Sequence, residues 1–358
     1  MPIRFVTAIM AALLPAGIAG STLEEIIPAA ELPAAERGAF TDEGRFFVIG
    51  VPEPDNTPTQ GLIAEVVRDD ASGYALRPVF AGTLEGTVDG RIGSAPAGDR
   101  CLFSGMARRG NVLYAGCFAE DARVSLIEVD TVAGTVRAGY LTVCDDAPSE
   151  VACDLVTDIY PNGMSVDAEG RLYFTNMLAQ LLRLAGGFQV EASGSGTVQQ
   201  VVIDSERSTT TRLAFVRRAW YGSDILTDSP GPNGVQIEDD VLYYAAGPNI
   251  NKVQINADGT AGEQRVHYWG APLTYIDDFA VQAGELSLAR LMLPGIVLLE
   301  PVDFRDTARA ADTFDLDFDH APSSVTIAPE GNTLFPPGSR IFTSYFGGGV
   351  HALITPTP

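Results

Sequence analysis

The pentapeptide Pro161-Asn162-Gly163-Met164-Ser165 returns as Pro232-Asn233-Gly234-Val235-Gln236, and weaker echoes recur along the chain. Each copy leads into a short alternating strand, a turn and a second apolar strand, most cleanly over residues 162–176. A repeat of this length constrains the fold more than composition does, because one unit cannot bury its apolar face alone and must stack on its neighbours. Laying Glu43-Gly44-Arg45 on Glu169-Gly170-Arg171, and treating the other copies alike, puts Glu36, Ser104, Asn162, Asn233, Asp277 and Ser323 in one equivalent slot. All six side chains carry oxygen.

Beyond the first two strands of each copy, third alternating runs follow at 61–66, 124–129, 250–255 and 295–299, and fourth runs at 136–141 and 264–268. Period-two alternation between Gly, Pro, Asn and Asp turns is strand chemistry, and four strands per unit is a propeller blade. The expectation is an all-β, six-bladed β-propeller with four antiparallel strands per blade, a single domain over residues 21–358. The last copy leaves room for three strands only. Residues 22–27 are expected to supply the fourth and so close the ring, removing free sheet edges. An insertion is expected at 205–229, with 215–221 as a helix or lid. In such a ring the first strand of each blade lines the central channel, so the six slot residues converge on one mouth.

Composition narrows the partners. A net charge of −23 argues against nucleic acid and anionic membranes. Residues 1–20 read as a signal peptide: Arg4 gives a positive start, and an apolar stretch over 5–19 runs into small residues. That stretch is short of the ~20 residues a membrane span needs, so the expected mature protein is soluble and secreted or periplasmic. Four cysteines in an exported chain invite disulfides. Cys101 and Cys117 flank a predicted hairpin and Cys144 and Cys153 bracket an acidic loop, which favours those two pairs; neither spacing is a zinc motif.

The acid before the first blade, the twice-used Pro-Asn-Gly and the Asp-Asp pair before the fifth blade together resemble the six-bladed propellers of the gluconolactonase/senescence-marker-protein, paraoxonase-like and strictosidine-synthase-like superfamily. The resemblance spans residues 36–354. It implies one divalent cation at the channel mouth, generally calcium, held by a Glu, Asn residues and an Asp, which fall here on Glu36, Asn162, Asn233 and Asp277. Asp278 is either a further ligand or sits just outside the shell. Calcium takes six to eight hard oxygen ligands, and without a cation Glu36 and Asp277 would repel in a confined channel. The alternative is that Asn-Gly and Asp-Asp are ordinary turns.

The function expected from the resemblance is a metal-dependent hydrolase of lactones or related esters, with a small-molecule lactone or ester as partner. Asp277 is the implied base that activates water, with Asp278 as alternate. His320 and His267 are further catalytic candidates, since each precedes a slot residue by a few positions, while His351 reads as structural. Ser104 and Ser323 either hydrogen-bond a metal-bound water or fill turns, and neither lies in a Gly-x-Ser-x-Gly elbow. Trp220, Tyr221 and Trp269 form either an apolar substrate wall or packing between blades. The competing readings are a metal-stabilised binding propeller without turnover and a strictosidine-synthase-like condensing enzyme, the latter disfavoured by the intact Glu/Asn/Asn/Asp set.

Overall fold

Residues 21–51, 61–69, 73–81, 102–118, 126–139, 142–143, 154–155, 161–176, 179–184, 187–192, 197–203, 212–213, 215–222, 232–272, 274–302 and 307–354 are described by the structure, a computed structural model. Residues 1–20 and the cysteines at 101, 144 and 153 lie outside them, as does the side chain of Cys117, so the expected leader and disulfides do too. Among the described residues no helix is long and apolar enough to cross a membrane.

The alternating runs become strands, and the strands gather into small antiparallel sheets. The first sheet runs Ala34–Phe40, Phe46–Val51, Leu62–Asp69, Gly73–Ala81 in order. The fourth and fifth sheets repeat that pattern from Pro232–Glu238 to Ala261–Tyr268 and from Tyr275–Gln282 to Thr307–Asp315. The second, Leu102–Arg109 to Thr135–Gly139, gains Arg212–Leu213 as a parallel edge. The last sheet orders Ser324–Ile327, Arg340–Thr343 and Val350–Ile354, and Thr22–Ile27 pairs antiparallel with its outer strand, Val350–Ile354.

These five sheets are regular blades of a β-propeller. The sheet that starts at Pro161–Val166 corrects the expectation of six like blades: it has six strands, adds Thr142–Val143 and Asp154–Leu155 from upstream, and is interrupted by a separate hairpin, Ala179–Leu184 with Gly187–Ala192. The expected helix or lid at 215–221 is corrected as well. Residues Phe215–Gly222 are a strand paired antiparallel with Thr197–Ile203, because a segment with aromatic and branched residues at both ends (Phe215, Val216, Trp220, Tyr221) satisfies its backbone in a ladder when a partner is at hand.

The innermost strands touch in cyclic succession, from Ala34–Phe40 through those beginning at Leu102, Pro161, Pro232, Tyr275 and Ser324, and the last touches the first. The core lies between sheets. Phe46, Val48 and Leu62 of the first sheet pack on Ile341, Val350 and Ala352 of the last, and Phe47, Ile49 and Ile63 pack on Met106, Leu113 and Ile127 of the second. Phe46 and Phe47 point to opposite faces of one strand and are both fully buried. A blade therefore buries both faces, and its strands read as nearly continuous apolar runs. First-hairpin turns place a left-handed residue at Gly44, Gly110, Gly170, Asp240 and Gly284 (φ 73, 61, 85, 60 and 78°), the conformation glycine adopts without steric cost.

Candidate functional site

The slot residues sit where the inner strands break register. Glu36 falls between the paired residues Ala35 and Arg37, Ser104 between Phe103 and Gly105, and Asp277 between Ile276 and Asp278. Asn162-Gly163 and Asn233-Gly234 occupy the same kind of gap. In the last sheet Ser323 directly precedes its strand, its N–H bonded to Thr343 O at 2.8 Å. A bulged residue has no partner opposite, and its side chain is re-aimed. Here the aim is inward: Glu36, Ser104, Asn162, Asp277 and Ser323 line one cavity of about 10 Å³, with Arg37 and Asp278. That is room for about one ion or water. Asn233 joins through its amide Nδ2, which donates to Asp277 Oδ1 and to Tyr275 Oη, the latter at 3.1 Å.

Glycines explain how the strands come so close. A Cβ on Gly105 would lie 1.7 Å from Asn162 O, on Gly163 2.4 Å from Asn233 O, and on Gly234 2.4 Å from Asp278 Oδ1. The glycine of Pro-Asn-Gly thus serves close approach inside a strand, and the turn reading of that motif is corrected. In the first and fifth sheets the matching positions are Arg37 and Asp278. These fill the space the glycines leave, pairing Nε to Oδ2 at 3.3 Å with both side chains over nine-tenths buried. Arg37 also borders a larger channel below, about 410 Å³, lined by Met106, Met164, Ser165, Gln236 and Thr326 among others.

Electrostatics at the cavity are unbalanced. Glu36, Asp277 and Asp278 bring three carboxylates against the one guanidinium of Arg37. Burial, then the charges of Asp277 and Asp278, push Glu36 well above the usual carboxylate range, with Arg37 opposing. Burial lifts Asp277 to about 7, offset by the Asn233 bond and reinforced by Asp278. Burial lifts Asp278 to about 6 against the pull of Arg37. Glu36 and Asp277 keep some surface open to the cavity, yet protein surrounds both, so dehydration outweighs that opening. Both oxygens of Asp278 are buried without a hydrogen-bond partner, so Arg37 and the Phe279 N–H act on it by charge alone.

The donor set suits a cation. Glu36 and Asp277 offer carboxylate oxygens and Asn162 and Asn233 carboxamide oxygens, the hard ligands calcium prefers. The excess of three carboxylates over one guanidinium points to the same need. Among the described residues no group of three or more His, Cys, Asp or Glu is arranged to hold a metal; two members of this set are amides, which such a group does not include.

Other candidates are placed elsewhere or differently. His267 lies on the outermost strand of the fourth sheet, buried against Tyr243 at 5.3 Å between ring centres, and is not brought to the cavity. His320 ends a short turn, with Nδ1 2.5 Å from Asp317 Oδ1, and its ring meets that of His351 at 5.0 Å. Burial, then the nearby His320, pulls His351 below the usual imidazole range. Ser104 and Ser323 donate to backbone carbonyls of Pro161 (2.6 Å) and Ala35 (3.0 Å), so their hydroxyls join neighbouring strands. Trp269 is exposed, as are Phe318, before the last inner strand, and Tyr345 and Phe346, between Arg340–Thr343 and Val350–Ile354. Tyr345 is close enough to Glu36 to feel its charge. The side chains of Trp220 and Tyr221 lie outside the description.

Sequence reasoning missed Arg37 and Tyr275. The signal for Tyr275 was its place two residues before Asp277, on one face of an alternating strand; for Arg37, a charge directly after a slot residue.

No protein-family model matches the chain, and no curated protein matches it by sequence. Solved structures do. A gluconolactonase from Xanthomonas campestris superposes with a TM-score of 0.55 at 15% identity, over 95% of this chain and 92% of that one. A luciferin-regenerating enzyme gives 0.55 at 12%, over 94% and 96%. A Thermus thermophilus protein described as a putative oxidoreductase (glucose dehydrogenase) gives 0.52 at 13%, over 94% and 100%. At such identities the likeness is one of fold: this chain has the β-propeller fold that these proteins share.

Proposed function

We propose that the chain is an exported, metal-dependent hydrolase of lactones or related esters, a six-bladed ring closed by Thr22–Ile27 and counting the irregular sheet as a blade. The cyclic contacts of the inner strands support that count. The observation that carries the reading is the convergence of Glu36, Asn162 and Asp277, from three different sheets, on one ion-sized cavity with Asn233 bonded to Asp277.

Glu36, Asn162, Asn233 and Asp277 are the residues that would hold a divalent cation, calcium by ligand type. Bound there, such an ion would polarise a carbonyl and stabilise the charge that develops on its oxygen. Asp277 is the better base for the attacking water, because Asp278 is tied to Arg37. The cavity is too small for a substrate, so the acyl group binds above it, beside Tyr345 and the neighbouring exposed aromatics. The reaction class is borrowed from the gluconolactonase whose fold the chain shares. Cavity size also favours a second reading, a metal-stabilised binding propeller without turnover.

Initial rates on a panel of γ- and δ-lactones and aryl esters, with chelator and after calcium is restored, separate the two. Hydrolysis is expected to vanish with chelator, return with calcium and fall about 10²–10⁴-fold in Asp277→Asn. Calcium binding with no turnover on any member of the panel supports the second reading and sinks the first.

A further inference from the structure

A carboxamide has two ends of equal shape, and only its hydrogen bonds decide which one faces a ligand. For Asn233 that decision is visible. The residue is 2% exposed, and its backbone oxygen accepts from Thr175 Oγ1. Its Nδ2 donates to Asp277 Oδ1 and, at 3.1 Å, to Tyr275 Oη. The NH₂ end is therefore the end on the Asp277 side. Tyr275 takes the second N–H and fixes the plane of the amide, while Asp277 sets which end lies on its side. Among the described residues no hydrogen bond is donated to Asn233 Oδ1.

We infer that Tyr275 is a positioning residue for a cation: with Asp277 it locks the Asn233 carboxamide so that the carbonyl oxygen, the only end a calcium ion accepts, is the end presented. This rests on the cation reading above and adds a residue that does not itself bind the ion. Groups that orient a ligand from behind typically change metal affinity 10–100-fold when removed. Tyr275→Phe deletes one oxygen and keeps the ring, so packing is preserved while the lock is lost.

The test is calorimetric titration of calcium into the chelator-stripped full chain, wild type and Tyr275→Phe, alongside thermal melts without calcium. The expected result is a Kd about 10–100-fold weaker in the variant, with the cation-free melting temperature nearly unchanged. A purely structural tyrosine would lower the melt and leave the Kd alone. If the wild type binds calcium and the variant binds it equally well, this inference fails while the cation reading stands; if the wild type binds none, both fail. Should the variant not fold, wild-type protein labelled with ¹³C-asparagine gives a second readout. The Asn233 carbonyl resonance must shift on adding calcium, and a stationary resonance overturns the assignment.

Discussion

Arg37 and Asp278 meet across the propeller channel at 3.3 Å, each being the residue that directly follows a bulged slot residue. Glycine holds the matching position in the second, third and fourth sheets, where the next strand presses in. One structural position therefore has two uses. Three sheets use it to let backbones approach; two use it to put a charge pair beneath the candidate cation site. The pair has no compensating hydrogen bonds on its carboxylate, so its two halves depend on each other.

Removing Arg37 should accordingly be costly. Arg37→Met strands a buried carboxylate, which costs about 3–5 kcal/mol, read by urea unfolding at pH 8. The loss should shrink at pH 5, because Asp278, lifted to about 6, can then take up a proton. Arg37→Met with Asp278→Leu should lose less than the sum of the single variants. Additive losses would show that the two side chains do not communicate.

Gly163→Ala tests whether close approach is what the repeated motif encodes. The new methyl would meet Asn233 O at 2.4 Å and Val235 N at 2.5 Å, backbone atoms that cannot swing aside. Overpacking of this kind costs about 1–3 kcal/mol or more, and the displaced strand carries Asn233 with it, so calcium affinity should fall as well. Gly331→Ala is the control. Its φ of 86° strains an alanine, but nothing stands within 4 Å of the new Cβ; stability should drop by about 1–2 kcal/mol with calcium binding intact. Equal effects on affinity would refute the packing account.

Thr343 closes the seam between the first and last inner strands. Its Oγ1 donates to the backbone oxygen of Glu36 at 2.8 Å and lies 2.9 Å from Ser324 Oγ. Thr343→Val keeps the shape and deletes the donor, leaving buried polar atoms short of a partner at about 1–3 kcal/mol. Differential scanning calorimetry would read the loss, and calcium should narrow the gap if the ion draws the Glu36 strand back into place. An unchanged melting temperature would remove Thr343 from the seam.

The ring of slot residues was legible because the repeat is written in the chain: aligning turns on Glu43-Gly44 and Glu169-Gly170 brought together six residues spread from position 36 to position 323. Their bulged geometry was not legible, since a register slip depends on the partner strand. The irregular sheet escaped for a related reason: Thr142–Val143 and Asp154–Leu155 are short pieces whose pairing is decided by tertiary contact. Residues 215–221 read as a helix or lid, and not as the strand they form, because they sit within a long gap between slots, where insertion is the natural reading. The histidines show the limit of spacing as a guide. His267 precedes Asp277 by ten residues, but a blade's last strand is its outermost, so closeness in sequence became distance from the axis.

The same carboxylates predict an unusual response to pH. In the fold Asp277 is held at about 7 and Asp278 at about 6, against an ordinary value of 3.8. Between pH 4 and 7 the folded protein thus keeps protons that the unfolded chain has released, and stability falls as pH rises through that window. The shift at Asp278 alone corresponds to something on the order of 3 kcal/mol. His351 works in the opposite sense: its imidazole is held below 6.5 by burial, so its contribution is lost as pH drops below that value. Chelator-treated protein should therefore melt higher near pH 5.5 than at pH 8, with a shallower decline in Asp277→Asn. Calcium should restore most stability at pH 8, where the carboxylates of the cavity outnumber the one guanidinium of Arg37, and little at pH 5, where protons already supply the counter-charge. A cation-free melting temperature that climbs steadily from pH 5.5 to pH 8 would mean that these carboxylates are not buried together.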